Sequence, residues 1–282
     1  MDLPNVGLGT YRMKSRDELI RTIHEALRIG YRLIDTAQVY GNEDIIGEAI
    51  QTSGIGREEL FITTKVSPKV LTGELTVYQS VIESLRKLKL NYLDLVLIHW
   101  PGTAKRDTKI PNTDNRRSGW RALERLCVEE KVRFIGVSNY TPSHINELLS
   151  YCTIHPYVNQ FEMHPLYIPW DILEICKKNN IKTQGYSTLG EGVLVDATNS
   201  DYTMLDSIAA KYSCSRAQLL LKWSLQNNVG VIPKSRSIRR LQENYNILFF
   251  NISTEDMERL NTLTTSGVLT PKKFCWDPYI VE

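Results

Sequence analysis

The sequence predicts an α/β fold of the closed (β/α)8 type, and three observations lead there. Short apolar runs alternate with helix-patterned segments eight times, polar residues able to do chemistry follow those runs, and no composition break divides the chain. A barrel of this kind needs roughly 250 residues. One such domain would therefore occupy residues 1–282.

The apolar runs are, in order, Val6-Gly7-Leu8-Gly9-Thr10, Arg32-Leu33-Ile34, Leu60 to Thr63, Leu93 to Ile98, Phe134 to Val137, Tyr157-Val158, Thr183 to Tyr186 and Val229 to Ile232. Continuous apolar runs separated by helices imply parallel strands buried on both faces. Ser15 and Glu18 read as a capping box ahead of Leu19, Ile20, Ile23, Ala26 and Leu27, which share one helical face, and Gly30 ends that helix. Val77, Val81, Leu85 and Leu88 form a second stripe. Thr141 followed by Pro142 reads as an N-cap with proline at the first helical position, with Ile145, Leu148 and Leu149 facing inward. An open dinucleotide-binding sheet should carry G-x-G-x-x-G after its first strand; here Gly7 and Gly9 are followed by Arg12 in the third glycine's place. The closed barrel is the better reading.

Composition narrows the function classes. With 34 Lys+Arg against 32 Asp+Glu the net charge is +2, which offers no electrostatic footprint for nucleic acid or an acidic membrane surface. The start, Met1-Asp2-Leu3-Pro4, has no signal-peptide character. No apolar run approaches the roughly 20 residues of a membrane span. Five scattered cysteines (Cys127, Cys152, Cys176, Cys214, Cys275) with no C-x-x-C pair argue for reduced thiols, with neither a disulfide framework nor a metal site. A cytoplasmic protein, monomeric by default, is expected.

The residues that follow the runs carry the functional signal. Asp35, with Tyr40 five residues on, follows the second run; Lys65 follows the third and His99 the fourth. Ser138-Asn139, Asn159-Gln160, Tyr186-Ser187 and Lys234-Ser235 follow the later ones. In a barrel these positions fall on the C-terminal rim, where active sites sit, and strands two to four are neighbours. Singly, an aspartate caps a helix, a lysine is solvated and a histidine is a hydrogen-bonded core residue. Converging, the four suit carbonyl reduction. A lysine ammonium beside a tyrosine favours the phenolate and would lower its pKa from about 10, an aspartate keeps the lysine charged, and a histidine orients the carbonyl oxygen.

Several strings carry a family resemblance. They are Leu8-Gly9-Thr10-Tyr11, Gly30-Tyr31-Arg32-Leu33-Ile34-Asp35-Thr36-Ala37-Gln38-Val39-Tyr40-Gly41-Asn42-Glu43, Ile62-Thr63-Thr64-Lys65 and Leu97-Ile98-His99-Trp100-Pro101. Gly136-Val137-Ser138-Asn139-Tyr140, Val158-Asn159-Gln160-Phe161-Glu162 and Ile232-Pro233-Lys234-Ser235, with Arg240 and Glu243-Asn244 downstream, complete the set. In this order, across almost the whole chain, they resemble the aldo-keto reductase superfamily. The resemblance implies an NADPH-dependent carbonyl reductase in which Tyr40 is the general acid, tuned by Lys65 and Asp35, with His99 orienting a small-molecule carbonyl substrate. It implies that Ser138, Asn139 and Gln160 bind the nicotinamide carboxamide and that Tyr186 stacks on its ring. Ser187 and Leu189 would border the pyrophosphate, and Thr10 and Asp35 would lie near the ribose. Lys234, Ser235 and Arg240 would hold the 2′-phosphate, with Arg236 as an additional cation or a solvated residue, while Glu243 and Asn244 reach the adenine. Independently, a 2′-phosphate calls for charge-assisted donors, which Lys and Arg supply.

Details depart from the family pattern. The hairpin that commonly plugs the barrel bottom is expected to be short or absent. Thr188 replaces the usual proline or alanine, and the short segment Glu191 to Ser200 leaves little to cover the cofactor, so fast cofactor release is expected. Tyr11, Val39, Trp100 and Trp276 are expected to wall the substrate beside Tyr40 and His99, with a tail from about residue 266 to 282 folded over the pocket. Ser67 hints at a roomy site. The basic loop Lys105 to Arg117 is solvated or favours anions. Two alternatives stay open: a cofactor-binding structural or regulatory role of the crystallin or channel-subunit kind, and a Schiff-base enzyme using Lys65. The sequence does not choose among aldehyde, ketone, sugar, quinone, steroid and prostaglandin-type substrates.

Overall fold

A computed structural model describes residues 2–103 and 111–282. Eight strands lie in one all-parallel sheet in sequence order: β1 (Gly7–Gly9), β2 (Leu33–Asp35), β3 (Phe61–Val66), β4 (Leu93–Ile98), β5 (Val132–Ser138), β6 (Val158–Glu162), β7 (Lys182–Tyr186) and β8 (Val229–Val231). The last strand returns to the first. Val6 bridges Val231 in parallel, the Val231 N–H donates to Asn5 O at 2.8 Å, and the Gly9 N–H donates to Pro233 O at 3.2 Å. A side chain at Gly9 would forbid this closure, because a Cβ there would lie 2.4 Å from Ile232 O. The (β/α)8 barrel expected from the sequence is the observed fold.

Ten helices of the described residues surround it: α1 (Arg16–Ile29), α2 (Glu43–Gln51), α3 (Glu74–Leu88), α4 (Asn112–Val128), α5 (Pro142–Leu149), α6 (Trp170–Lys178), α7 (Thr203–Lys211), α8 (Arg216–Gln226), α9 (Ile238–Tyr245) and α10 (Thr254–Asn261). Their apolar stripes behave as the helical period requires: α1 buries Leu19, Ile23, Ala26 and Leu27, and α3 buries Val77, Val81, Leu85 and Leu88. Gly30 ends α1 at φ 124°, a conformation open to glycine. Pro142 opens α5 after Thr141, as expected. The Ser15 capping box is not formed: Ser15 occupies the N-cap position without a side-chain bond, and Glu18 turns instead toward Arg236.

The apolar runs underestimate the strands. β3 continues to Val66, β5 to Ser138 and β6 to Glu162, so the ladder passes through polar residues that the apolar runs alone would place beyond it. Side-chain polarity does not interrupt a backbone ladder when each polar group finds a partner inside. Strand alternation then divides the barrel interior. Leu33, Phe61, Leu95, Leu97 and Val158 form a buried apolar cluster separate from the strand–helix core. Two or four residues further along the same strand faces come Asp35, Thr63, Lys65, His99, Gln160 and Glu162. An apolar floor thus supports a polar roof at the strands' C-terminal ends.

Candidate active site

Lys65 is fully buried on β3, and its Nζ donates to Asp35 Oδ1 at 2.5 Å, to Thr36 O at 3.0 Å and to the Tyr40 hydroxyl at 3.5 Å. The second oxygen of Asp35 accepts from Gln160 Nε2 at 2.9 Å, and the same amide reaches Gln184 Oε1 at 2.6 Å. Tyr40 sits at the end of a 3₁₀ turn (Gln38–Tyr40) between β2 and α2; its ring lies 5.9 Å from the His99 ring and 5.0 Å from that of Tyr11. The four residues expected to converge from strands two, three and four are brought together here.

Two residues unassigned in the sequence fix that turn. Gln38 donates to Ser80 O, Ser80 Oγ and Ser84 Oγ, each at 3.1 Å on α3, and its carbonyl accepts from the Ser67 N–H at 2.8 Å. Buried Asn42 accepts from Thr36 Oγ1 at 2.8 Å and donates to Thr10 O and Met13 O at 3.0 Å. Both belong to strings already noted, but only their long-range partners reveal the role.

Burial sets the protonation states. Burial and the neighbouring Asp35 charge push Tyr40 well above the ordinary phenol value. The net shift is opposite to the lowering expected from Lys65 alone, because burial first and the Asp35 charge second outweigh it. Tyr40 is thus held as a neutral phenol. Burial lowers Lys65 while Asp35 opposes that shift. His99 is pushed down to about 3 by burial and by the Lys65 charge, so its ring is neutral, and its buried Nδ1 has no partner among the described residues.

On the neighbouring strands, Ser138 Oγ donates to Gln160 O at 2.8 Å. Asn139 Nδ2 donates to His99 O at 3.0 Å, and Asn139 Oδ1 accepts from Tyr186 at 2.6 Å. Thr10 Oγ1 donates to Asp35 O at 2.9 Å. Ser187 donates to Glu191 and Leu189 is partly buried against the core. Beyond β8, Lys234 and Arg240 are exposed and carry no ion pair among the described residues. Ser235 is buried, and Arg236 is held by Glu18 at 3.3 Å and Arg12 O at 3.0 Å. Glu243 pairs with Arg239 at 3.0 Å, while Asn244 is buried.

At the mouth, Tyr11, Val39 and Trp276 are exposed, and the Trp276 ring lies 5.6 Å from that of Trp100. The basic segment Lys105 to Arg117 falls partly outside the described residues. Within the described part, Arg116 is buried against Glu147 and Arg117 lies over the Tyr151 ring.

A closed parallel barrel with an Asp–Lys–Tyr cluster and a neutral histidine at its C-terminal rim defines a class, and the relatives agree. The chain belongs to the Aldo/keto reductase family, whose model matches residues 5–264. It is 40% identical over 271 residues to glyoxal reductase of Bacillus subtilis (strain 168), covering 96% of this chain and 92% of that one. It is also 40% identical over 263 residues to 9,11-endoperoxide prostaglandin H2 reductase of Trypanosoma cruzi (strain CL Brener), covering 93% and 88%. Among solved structures, an aldo-keto reductase of Bombyx mori in complex with NADP superposes with a TM-score of 0.84 at 32% identity, covering 92% of this chain and 89% of that one.

Proposed function

We propose that this chain is an NADPH-dependent carbonyl reductase that converts an aldehyde or ketone to an alcohol, with Tyr40 as general acid. The observation that carries the reading is the buried Lys65 ammonium, 2.5 Å from Asp35 and 3.5 Å from the Tyr40 hydroxyl. A phenol kept protonated by burial gives its proton to the carbonyl oxygen, and Lys65 stabilises the phenolate left behind. Asp35 keeps Lys65 charged. Neutral His99 donates a hydrogen bond to the same oxygen and orients it. The Schiff-base alternative is disfavoured, since it needs an unpaired lysine.

The donor set fits the cofactor, and the Bombyx mori relative with NADP supports that fit. Lys234 and Arg240, which have no ion pair among the described residues, suit a 2′-phosphate together with the Ser235 hydroxyl; Arg236 would have to exchange Glu18 for the phosphate to join them. Asn139, Ser138 and Gln160 present amide and hydroxyl groups for the nicotinamide carboxamide, with Tyr186 stacking on the ring. Ser187 and Leu189 border the pyrophosphate, Thr10 and Asp35 the ribose, and Glu243 and Asn244 the adenine. NADPH, when bound, supplies the hydride that reaches the carbonyl carbon. Tyr11, Val39, Trp100 and Trp276 form an aromatic and apolar wall for the substrate's body. The names of the relatives range from a two-carbon dialdehyde to a prostaglandin endoperoxide, so the wall rather than kinship sets the substrate. The reading includes a monomer in a reducing cytoplasm, in keeping with five unpaired cysteines.

NADPH oxidation should be followed with glyoxal, methylglyoxal, aromatic aldehydes and ketones. Stoichiometric alcohol formation is expected. Tight NADPH binding without turnover on any carbonyl would favour the cofactor-binding structural role instead.

A further inference from the structure

Glu162 has no part in the reading above, yet it is the most heavily bonded carboxylate near the site. It is the last residue of β6, two positions beyond Gln160 on the same strand face, and is 1% exposed. Its Oε1 accepts from the Phe274 N–H at 2.6 Å and lies 3.1 Å from His164 Nε2. Its Oε2 accepts from Lys273 Nζ at 2.6 Å and from the Cys275 N–H at 3.1 Å. Three consecutive tail residues are thus held in register by one buried side chain.

We infer that Glu162 is a positioning residue: it clasps the C-terminal tail across the substrate mouth and so sets how bulky a carbonyl compound the site prefers. This rests on the carbonyl-reductase reading for its substrates, not for its geometry. From the clasp the chain runs directly to Cys275, whose Sγ is 3.9 Å from Ser187 Oγ, and to Trp276, whose ring packs at 49° against that of Trp100, next to His99 in the chain. The tail therefore ties the ends of β4, β6 and β7 together. Beyond Trp276 its hydrogen bonds among the described residues run to the outer helices: Tyr279 donates to Asp171 at 2.5 Å, and His144 and Arg116 reach Val281 O and Glu282 O at 3.0 Å. Nothing in that second set fixes where the Trp276 ring lies.

The chemistry requires a carboxylate. Four donors converge, and a carboxylate offers acceptor sites for all of them. Glutamine has nearly the same volume but would aim an NH2 at an ammonium or a backbone N–H. Burial alone would raise the Glu162 pKa, but the His164, Lys273 and Phe274 hydrogen bonds bring it down to about 2. Glu162 is accordingly held as the carboxylate that the four donors require.

The test compares Glu162→Gln, Lys273→Met, Trp276→Ala and the Glu162→Gln/Trp276→Ala double variant with wild type. Methylglyoxal serves as the small substrate and phenylglyoxal as the bulky one. The ratio of kcat/KM for bulky over small substrate should shift about tenfold in Glu162→Gln and Lys273→Met, equivalent to about 1.4 kcal/mol, and mostly through KM. NADPH affinity, measured by calorimetry, should stay within about twofold of wild type. Glu162→Gln should add little to Trp276→Ala, because both act through the same ring. Equal losses on both substrates, or full additivity, would overturn the proposal and make Glu162 merely structural. Limited trypsin cleavage at Lys272 and Lys273 gives a readout independent of turnover: faster cleavage is expected in Glu162→Gln, whose cleavage sites are those of wild type, and an unchanged rate would overturn the clasp. Lys273→Met, at a partly exposed position, answers the same question if Glu162→Gln does not fold. A wild type that turns over no carbonyl but shows clasp-dependent cleavage would sink the enzymatic reading and leave the clasp standing.

Discussion

Replacing Asp35 with asparagine isolates the charge that keeps Lys65 inside the barrel. Among the described residues Asp35 is the only charged partner of that ammonium; the others are Thr36 O and the Tyr40 hydroxyl. Asparagine preserves the volume and removes the counter-charge. Breaking a buried pair on one side costs about 3–5 kcal/mol. A ceiling comes from the lysine itself: giving up its proton at pH 7, from an unfolded value of about 10.4 at about 1.36 kcal/mol per unit, costs about 4.6 kcal/mol. The same route fixes the sign. A neutral folded lysine and a charged unfolded one mean that the unfolded state binds more protons, so the variant gains stability as pH rises, by about 1.4 kcal/mol per unit up to the unfolded value. Burial lowers wild-type Lys65 too, but Asp35 opposes the shift, so its own gain over that range is smaller. Guanidinium unfolding at about pH 7, 8 and 9 should show a deficit of roughly 4 kcal/mol that narrows by roughly 2 kcal/mol at the highest pH. A deficit below about 1 kcal/mol at neutral pH, or one that does not narrow, would refute the idea that Asp35 holds a charged lysine.

Three further outcomes follow from the same geometry. Because His99 is pushed down to about 3 in the fold and titrates near 6.5 unfolded, it costs wild type stability as pH falls through that window. His99→Gln should therefore gain on wild type between about pH 6.5 and 4, measured by Tm, whereas a shift equal at every pH would count against a buried neutral ring. Joint Lys234→Ala and Arg240→Ala should weaken NADPH at least about tenfold while leaving NADH nearly unchanged, since each charged contact is worth about 1.5–3 kcal/mol. Equal weakening of the two cofactors, measured by calorimetry, would remove these residues from the 2′-phosphate. Asn42→Ala leaves Met13 O without its donor, takes one of two donors from Thr10 O and removes the acceptor of the Thr36 hydroxyl, and should cost about 2–3 kcal/mol in denaturant unfolding. A near-neutral effect would mean that the β2 loop does not depend on it.

What could be read from the sequence follows physical periodicity. Apolar runs set the barrel, and alternation along β2, β3 and β6 carries Asp35, Lys65 and Gln160 to the same rim, so the site was legible as a list of residues. What the sequence hid were choices of partner. Ser15 and Glu18 have the spacing of a capping box, but Glu18 has an arginine from beyond β8 as a competing partner. The net direction of the Tyr40 shift could not be read, because burial and the approach of Asp35, which outweigh the lysine, are not sequence properties. Gln38 and Asn42 sit between recognised residues, and only folding brings α3 and the Thr10–Met13 turn within their reach. The bond from Lys273 to Glu162 spans 111 positions, and no local pattern announces it.

The central claim is that the neutral Tyr40 phenol, backed by Lys65, delivers the proton to the substrate oxygen. Measuring kcat for a reducible aldehyde in wild type and Tyr40→Phe, with NADPH affinity determined in parallel, tests it most directly. The account predicts a fall of about 10²- to 10⁴-fold in kcat with NADPH bound as tightly as before. A phenylalanine variant that reduces the aldehyde at the wild-type rate would contradict it.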